Sequence, residues 1–184
     1  MTGTAHVRRG DVLRAVVKEA NSRLDGTLPT DVAGVAETFR DDLDLVGALQ
    51  LHWHTLMAGN IERAIAEEPG RSENALDDTD GNLELAVLRA WRAAQEELPG
   101  VRLVLDSCTD QPTSQEMGEA MDIANRKEWA LLAVMAGKAS AHDSDAAEVG
   151  RVLEAKVRRP GFEIPEREEQ RLSLRERLRI VLAA

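Results

Sequence analysis

The chain has 184 residues, enough for one domain with a sizeable hydrophobic core and too few for two domains of ordinary size. Acidic residues number 33 against 23 lysines and arginines, a formal net charge of -10 that disfavours a broad phosphate-binding face, so nucleic acid is not an expected partner. With 43% hydrophobic and 30% charged residues, the composition argues against full disorder, and no stretch reaches the roughly 20 uninterrupted apolar residues of a membrane span.

Apolar residues recur at spacings of three and four along most of the chain, a pattern that predicts an all-α fold. The first helix is predicted over 11–24, where the DGTLP stretch stops it, and a short one over 31–39. The longest helix is predicted over 41–68 and ends at a Pro-Gly pair. At about 1.5 Å per residue it is roughly 40 Å long, which makes it the central strut of a helical bundle.

Beyond a polar, acidic loop at 69–81, the periodicity predicts further helices over 82–98, 114–139 and 145–158. The segment 101–108 contains the apolar run VRLVL, which is compatible with either a helix or a strand. The bundle is therefore expected to be built on two long helices, with shorter helices packed around them.

Two of these helices carry cap signals at their beginnings. Thr113 and Glu116 have the spacing of a capping box before the 114–139 helix. Asp143 or Ser144 can cap the helix that follows.

A change of pattern near residue 160, where two arginines are followed by Pro160 and Gly161, predicts a boundary there. We expect 1–160 to form the bundle and 161–184 to form a C-terminal amphipathic helix, begun by a second capping box of Ser173 and Glu176. The residues that give this helix an apolar face with a basic flank are Arg171, Leu174, Arg175, Leu178, Val181 and Leu182.

Charge separates the two parts of the chain. Residues 1–150 contain 14 basic and 27 acidic residues, whereas residues 151–184 contain 9 basic and 6 acidic residues. A basic amphipathic helix beside an acidic bundle has two interpretations: it packs on its own chain, or it docks in a groove of a protein partner or a sister subunit. An anionic membrane surface is a weaker third option, because six acidic residues dilute the basic face.

Polar residues fall on the predicted core faces of the two long helices. At about 100° per residue, Gln50 shares the apolar face of Trp53, while His52 and His54 lie about 100° to either side of that tryptophan. Glu128 lies among the apolar residues of the 114–139 helix. Because an isolated buried carboxylate is costly, Glu128 needs a partner.

The sequence allows two interpretations of how Glu128 is paired. In the first, Glu128 meets His52 or His54, with Gln50 nearby and Trp53 as a wall, in a polar pocket between the two long helices. In the second, an arginine or lysine pairs with Glu128 at the edge of the core, which is a structural arrangement.

The sequence predicts no metal and no cofactor. LHWHTLMAG resembles the His-Trp stretch of the Dps branch of ferritin-like proteins, but the Glu-x-x-His pairs that supply di-metal ligands in such bundles are missing. His52 and His54 point about 200° apart on one helix and cannot chelate one ion together. Phosphate-binding glycine motifs are absent, and Cys108, the one cysteine, has acidic neighbours that disfavour its thiolate.

We therefore expect a non-catalytic helical bundle that acts by protein-protein association, in an adaptor or regulatory role, with the C-terminal helix as its contact element. The alternative is a ligand- or metal-binding bundle, possibly enzymatic, with its pocket around His54 and Glu128. The absence of a signal-like apolar stretch and the single cysteine favour the cytoplasm. The excess of arginine over lysine and the absence of tyrosine indicate a GC-rich bacterial source.

Overall fold

A computed structural model describes residues 8–67 and 79–165 of the chain. Within these ranges there are seven helices and no strand, which confirms the predicted all-α bundle. The helices are α1 Arg9–Arg23, α2 Val35–Thr38, α3 Asp42–Ala66, α4 Thr79–Glu97, α5 Pro99–Asp110, α6 Gln115–Met135 and α7 Ala146–Arg158.

The long helix α3 runs through the centre of the bundle, as its length predicts. Asp41 caps its beginning, because a side-chain oxygen accepts a hydrogen bond from the backbone N–H of Asp44 at 2.7 Å. The inward face is fully buried and is formed mainly by Leu45, Leu49, Trp53, Met57 and Ile61. This apolar stripe supplies the surface against which α4, α5 and α6 pack.

The segment 101–108, open to two interpretations in the sequence, belongs to the helix α5. Pro99 stands in its first turn, where a missing N–H costs nothing. The side-chain oxygen of Asn21 accepts hydrogen bonds from the N–H groups of Gly100 and Val101, at 2.9 and 3.3 Å. This contact ties the beginning of α5 to α1.

The cap predicted for α6 is wrong by one residue. Ser114, not Thr113, is the N-cap, and its hydroxyl accepts from the N–H of Met117 at 3.1 Å. The helix ends at Met135, short of the predicted residue 139, because Gly137 adopts a left-handed φ of 70°. The N–H of Lys138 then bonds the carbonyl of Ala133 at 2.9 Å, which closes the end of α6 in a Schellman turn.

The predicted side-chain caps of α7 are also not formed. Its N-cap is Asp145, which makes no side-chain cap hydrogen bond. Asp143 instead accepts from the N–H and the hydroxyl of Ser140, at 2.6 and 2.9 Å, and so stabilises the turn between α6 and α7.

Two glycines allow neighbouring helices to approach each other closely. A Cβ on Gly100 would lie 1.9 Å from the carbonyl oxygen of Ala20, where α5 meets α1. A Cβ on Gly150 would lie 1.7 Å from the carbonyl oxygen of Trp129, where α7 meets α6. Any larger residue at either position forces the two backbones apart.

The chain after α7 stays on the bundle as far as it is described. Arg92 donates to the carbonyl of Phe162 at 2.9 Å, and Arg89 donates to the carbonyl of Pro165 at 2.8 Å. Phe162 and Ile164 also pack against the core. The predicted boundary at residue 160 and the division into 1–160 and 161–184 therefore stay predictions, because residues 166–184 lie outside the described part.

Other predictions fall on residues that are not described. The acidic loop at 69–81 lies largely among them. Of the C-terminal helix predicted over 161–184, residues 161–165 are described and are not helical, and the rest, with its capping box and its six contact residues, lies outside the described part. Among the helices that are described, none combines the length and the apolar character needed to cross a bilayer.

Candidate functional site

Glu128 lies at the centre of a buried charged cluster. Its side chain, on α6, is only 1% exposed. The indole N–H of Trp91 donates to Oε1 at 3.3 Å, and Nη1 of Arg102 lies 3.4 Å from both carboxylate oxygens. Nε2 of His54 lies 3.5 Å from Oε2, within ion-pair distance. Side chains from α3, α4, α5 and α6 therefore meet at one carboxylate.

These partners keep Glu128 ionised. Burial raises the pKa of its carboxyl, but the close imidazole of His54 and the positive charge of Arg102 outweigh burial and hold the pKa at about 2. An ionised carboxylate paired with an arginine is a poor proton donor or acceptor near neutral pH.

The cluster continues from Arg102 toward α7 through one shared carboxylate. Arg102 is 3% exposed, and its Nη2 lies 2.8 Å from Oδ1 of Asp106, one turn along α5. Arg158, at the end of α7, donates to both oxygens of Asp106 at 2.8 and 2.9 Å. It also reaches Glu154 at 2.9 Å. Burial lowers the pKa of Arg158, but its bonds to Asp106 and the charge of Glu154 raise it overall.

Two tryptophans form the apolar part of the same cluster. The rings of Trp53 and Trp91 pack edge to face, with centroids 5.9 Å apart and planes at 75°. The guanidinium of Arg102 lies 5.0 Å from the centroid of Trp53, and that of Arg158 lies 5.0 Å from the centroid of Trp91. The arginines thus contact an aromatic face and a carboxylate at the same time, which fixes their orientation.

The predicted pocket residues are only partly brought together. Trp53, His54 and Glu128 belong to the cluster, and both interpretations of Glu128 contribute, because it has a histidine and an arginine as partners. His52 lies on the other side of α3, in a surface groove against α1. Of the two histidines, His54 is therefore the one that lies near Glu128.

Gln50 is the member of the predicted set with two unpaired polar atoms, while Trp53 and His54 have one each. Its side chain is buried, at 8% exposure, and neither its amide nitrogen nor its amide oxygen has a hydrogen-bond partner among the described residues. It stands one helical turn before His54, whose Nε2 also makes no hydrogen bond of good geometry. Buried amides are normally paired, so the unpaired amide of Gln50 is an exception.

A separate groove opens on the surface between α1 and α3. It has a volume of about 710 Å³ and an apolar floor and walls formed by Leu13, Leu43, Ala48 and Leu51. Leu51 is 69% exposed. Arg9 and Arg40 lie at one end, where Arg9 pairs with Asp44 at 2.8 Å. A neighbouring hollow of about 480 Å³ extends the groove along α1 past Arg14 and Lys18.

Sequence reasoning did not find Trp91, Arg102, Asp106 or Arg158 as members of the cluster. The spacing of Arg102 and Asp106, four residues apart on α5, is the one signal that could have indicated a pair. Trp91 lies on the predicted apolar face of α4, where a tryptophan is equally typical of plain core packing.

The described groups give little basis for covalent or metal chemistry. Burial, together with the charge of Asp42, raises the pKa of the Cys108 thiol and disfavours its nucleophilic form. Across residues 8–67 and 79–165, no three histidine, cysteine or carboxylate side chains gather as a metal site.

No protein-family model, no curated protein and no solved structure matches this chain.

Proposed function

We propose that this chain is a non-catalytic, cytoplasmic helical bundle that acts by protein-protein association, in an adaptor or regulatory role. The groove between α1 and α3 carries the proposal. It is open to solvent and lined in part by apolar side chains, and an exposed leucine, Leu51, stands on its α3 side. Grooves of this kind accept the apolar face of a helix from another protein.

The charged cluster supports a structural role for the polar core. Its central carboxylate is held ionised by Arg102 and His54, and Asp106 is shared by Arg102 and Arg158. Such groups fix how α3 to α7 pack, and the lowered pKa of Glu128 leaves its carboxylate poorly suited to proton transfer at neutral pH. The rigid bundle then serves as a scaffold for a surface groove.

The C-terminal amphipathic helix stays a second proposed contact element. Its anchor is the segment that ends at Pro165, held on α4 by Arg89 and Arg92. A truncation that tests the helix should therefore begin after Pro165, because Phe162 and Ile164 are part of the packed bundle.

The test is a pull-down from native lysate followed by mass spectrometry, with four forms of the protein. We expect the intact chain and Val152→Glu to capture the same partner, since Val152 is an exposed apolar residue of α7, away from the groove. Leu51→Glu should lose that partner. A chain ended after Pro165 shows whether the tail contributes. If the partner is captured equally by all four forms, neither surface mediates association.

A second candidate function is favoured by the unpaired amide of Gln50. We infer that a small uncharged polar molecule, able both to donate and to accept hydrogen bonds, binds between Gln50, His54 and Glu128. An amide or an alcohol matches the two unpaired atoms of the Gln50 carboxamide. A bound water is the simplest occupant of the same place.

Native mass spectrometry of the purified protein tests this candidate. The expected result is a bound mass larger than water that is lost in Gln50→Leu and kept in Gln111→Leu, a change at an exposed glutamine. If nothing is bound and Gln50→Leu raises the free energy of unfolding, the amide is an uncompensated polar group and the candidate is wrong.

A further inference from the structure

The segment that follows α7, residues 161–165, is held on the bundle mainly by side chains of other elements, and we call it the strap. It has no helical structure. Within the described part of the chain, its one backbone-to-backbone hydrogen bond runs from the N–H of Phe162 to the carbonyl of Arg159 at 3.0 Å. Beyond that turn, two arginines of α4 hold its main chain by donating to the carbonyls of Phe162 and Pro165.

The side chains of the strap alternate between buried and exposed positions. Phe162 and Ile164 are partly buried and pack against the core, whereas Gly161, Glu163 and Pro165 are exposed. A period of two residues is typical of an extended chain that lies on a surface. Two apolar anchors and two main-chain carbonyls therefore hold the strap.

The surface under the strap is positioned in part by bonds that do not involve the strap. The guanidinium of Arg92 and Nζ of Lys156 lie 6.0 and 5.6 Å from the centroid of the Phe162 ring. Arg92 also donates to the carbonyl of Val157, on α7, at 3.1 Å. Lys156 is paired with Glu84 of α4 at 2.5 Å. Because these two bonds do not depend on the strap, the cations that surround the aromatic anchor are preorganised.

Contacts of this kind are those of a peptide bound in an extended conformation. Hydrogen bonds to main-chain carbonyls accept any side chain, whereas sites for alternate side chains select the sequence. The pattern selected here is an aromatic residue, any residue, an aliphatic residue and a proline, as in Phe162 to Pro165. The surface of α4 and α7 fits the same pattern when another chain presents it.

A second copy of this chain is the less favourable source of such a segment. It offers the same contacts, but the strap of the same chain is tethered directly to α7 and competes at an effective concentration in the millimolar range. Exchange of straps between two copies therefore gains nothing at lower concentrations. A different protein, whose segment makes better contacts than the strap, is the occupant that displaces it.

We propose that α4 and α7 form a docking site for an extended segment of another protein, in which an aromatic and an aliphatic residue stand two positions apart and a proline follows. The strap fills this site in the absence of that protein. Because the site lies on elements other than α1 and α3, it is a contact surface beyond the groove of the proposed function, and either surface can exist without the other.

The test uses the full chain and a synthetic peptide with the sequence of residues 159–166, whose binding is measured by ligand-detected NMR. In Phe162→Ala/Ile164→Ala the strap loses both anchors, so this variant should bind the peptide with a Kd of about 1 mM or below. The wild type should bind it at least about tenfold more weakly, because its own strap competes. Circular dichroism checks the fold of the double variant. If that variant does not fold, Ile164→Ala alone takes its place and should still bind the peptide more tightly than the wild type.

Matched controls show whether the peptide occupies the place of the strap. A peptide with alanine at the position of Phe162 should not bind at the same concentrations. In the double variant, Arg92→Gln should weaken peptide binding by at least about tenfold, because a charge-assisted hydrogen bond to the main chain is lost. Arg151→Gln should leave binding unchanged, since Arg151 is a half-exposed arginine of α7 whose partner is Glu148.

Three results would overturn the proposal. The first is no peptide binding to the folded variant, and the second is equal binding to the variant and the wild type. The third is binding that is indifferent to Arg92 or to the phenylalanine of the peptide. A wild-type dimer at micromolar concentration that is lost in Phe162→Ala would also overturn it, because the occupant would then be a second copy. Leu51→Glu should not change peptide binding, so failure here leaves the groove between α1 and α3 untouched.

Discussion

Replacing Glu128 by glutamine tests the charged cluster, because the change keeps the shape of the side chain and removes its charge. The pKa of Glu128 in the folded chain is about 2, against an ordinary value of 4.5. At about 1.4 kcal/mol per pH unit, this difference corresponds to about 3 kcal/mol of stability at neutral pH. This figure already includes the interaction with Arg102, which loses its buried counter-ion in the variant.

The effect of Glu128→Gln should depend on pH in a definite direction. A carboxyl group whose pKa is lowered by folding contributes stability above its unfolded pKa and loses it as the pH falls toward the folded value. The difference between wild type and variant should therefore be complete at pH 7. It should shrink below about pH 4.5 and vanish near pH 2.

Urea unfolding followed by circular dichroism at several pH values measures this difference. Glu96→Gln is the matched control, because Glu96 is an exposed glutamate of α4 whose replacement should change the free energy of unfolding by less than about 0.5 kcal/mol. The reasoning is refuted if Glu128→Gln behaves like Glu96→Gln at pH 7, or if its effect is the same at pH 7 and pH 3.

Three further predictions concern the backbone and are measured by the same unfolding assay. Gly150→Ala should destabilise the fold by roughly 2 kcal/mol or more, because the added Cβ would overlap the carbonyl of Trp129. An unchanged free energy of unfolding would show that the backbones of α6 and α7 are not in contact at this position. Gly137→Ala should cost about 1 kcal/mol because of its left-handed φ, and an unchanged midpoint would argue against the Schellman turn. Ser114→Ala should lower the free energy of unfolding by about 1 kcal/mol, whereas Thr113→Ala should change it little. If Thr113→Ala is the more destabilising of the two, the N-cap of α6 is Thr113 and not Ser114.

The helical pattern of the sequence was sufficient to predict the fold class and the central helix. The apolar spacing of α3 places Leu49, Trp53 and Met57 on one face, and that face is buried. The same spacing predicted that Glu128 would face the core, where it is in fact buried. The spacing of apolar residues indicates which side of a helix faces the core, because this spacing can be read from the positions within one segment.

The partners of Glu128 could not be predicted in the same way. Arg102 and Trp91 reach it from helices 26 and 37 residues away in the chain, so their meeting depends on how α4, α5 and α6 pack. His52 and His54 flank Trp53 on opposite sides, and only the position of α6 determines that His54 is the one near the carboxylate. The end of α6 was missed for a local reason, since the apolar pattern continues past Gly137.

The charged cluster makes the intrinsic tryptophan fluorescence of this protein sensitive to changes in its core. The sequence contains no tyrosine, so its three tryptophans dominate the near-ultraviolet absorption and emission. Trp53 and Trp91 each have a guanidinium against the ring, and the indole N–H of Trp129 donates to Glu154, which pairs with Arg158. Any event that rearranges these charges, whether acid, a bound molecule or a docked chain, changes the field at the indoles and can be followed by intrinsic fluorescence without a dye.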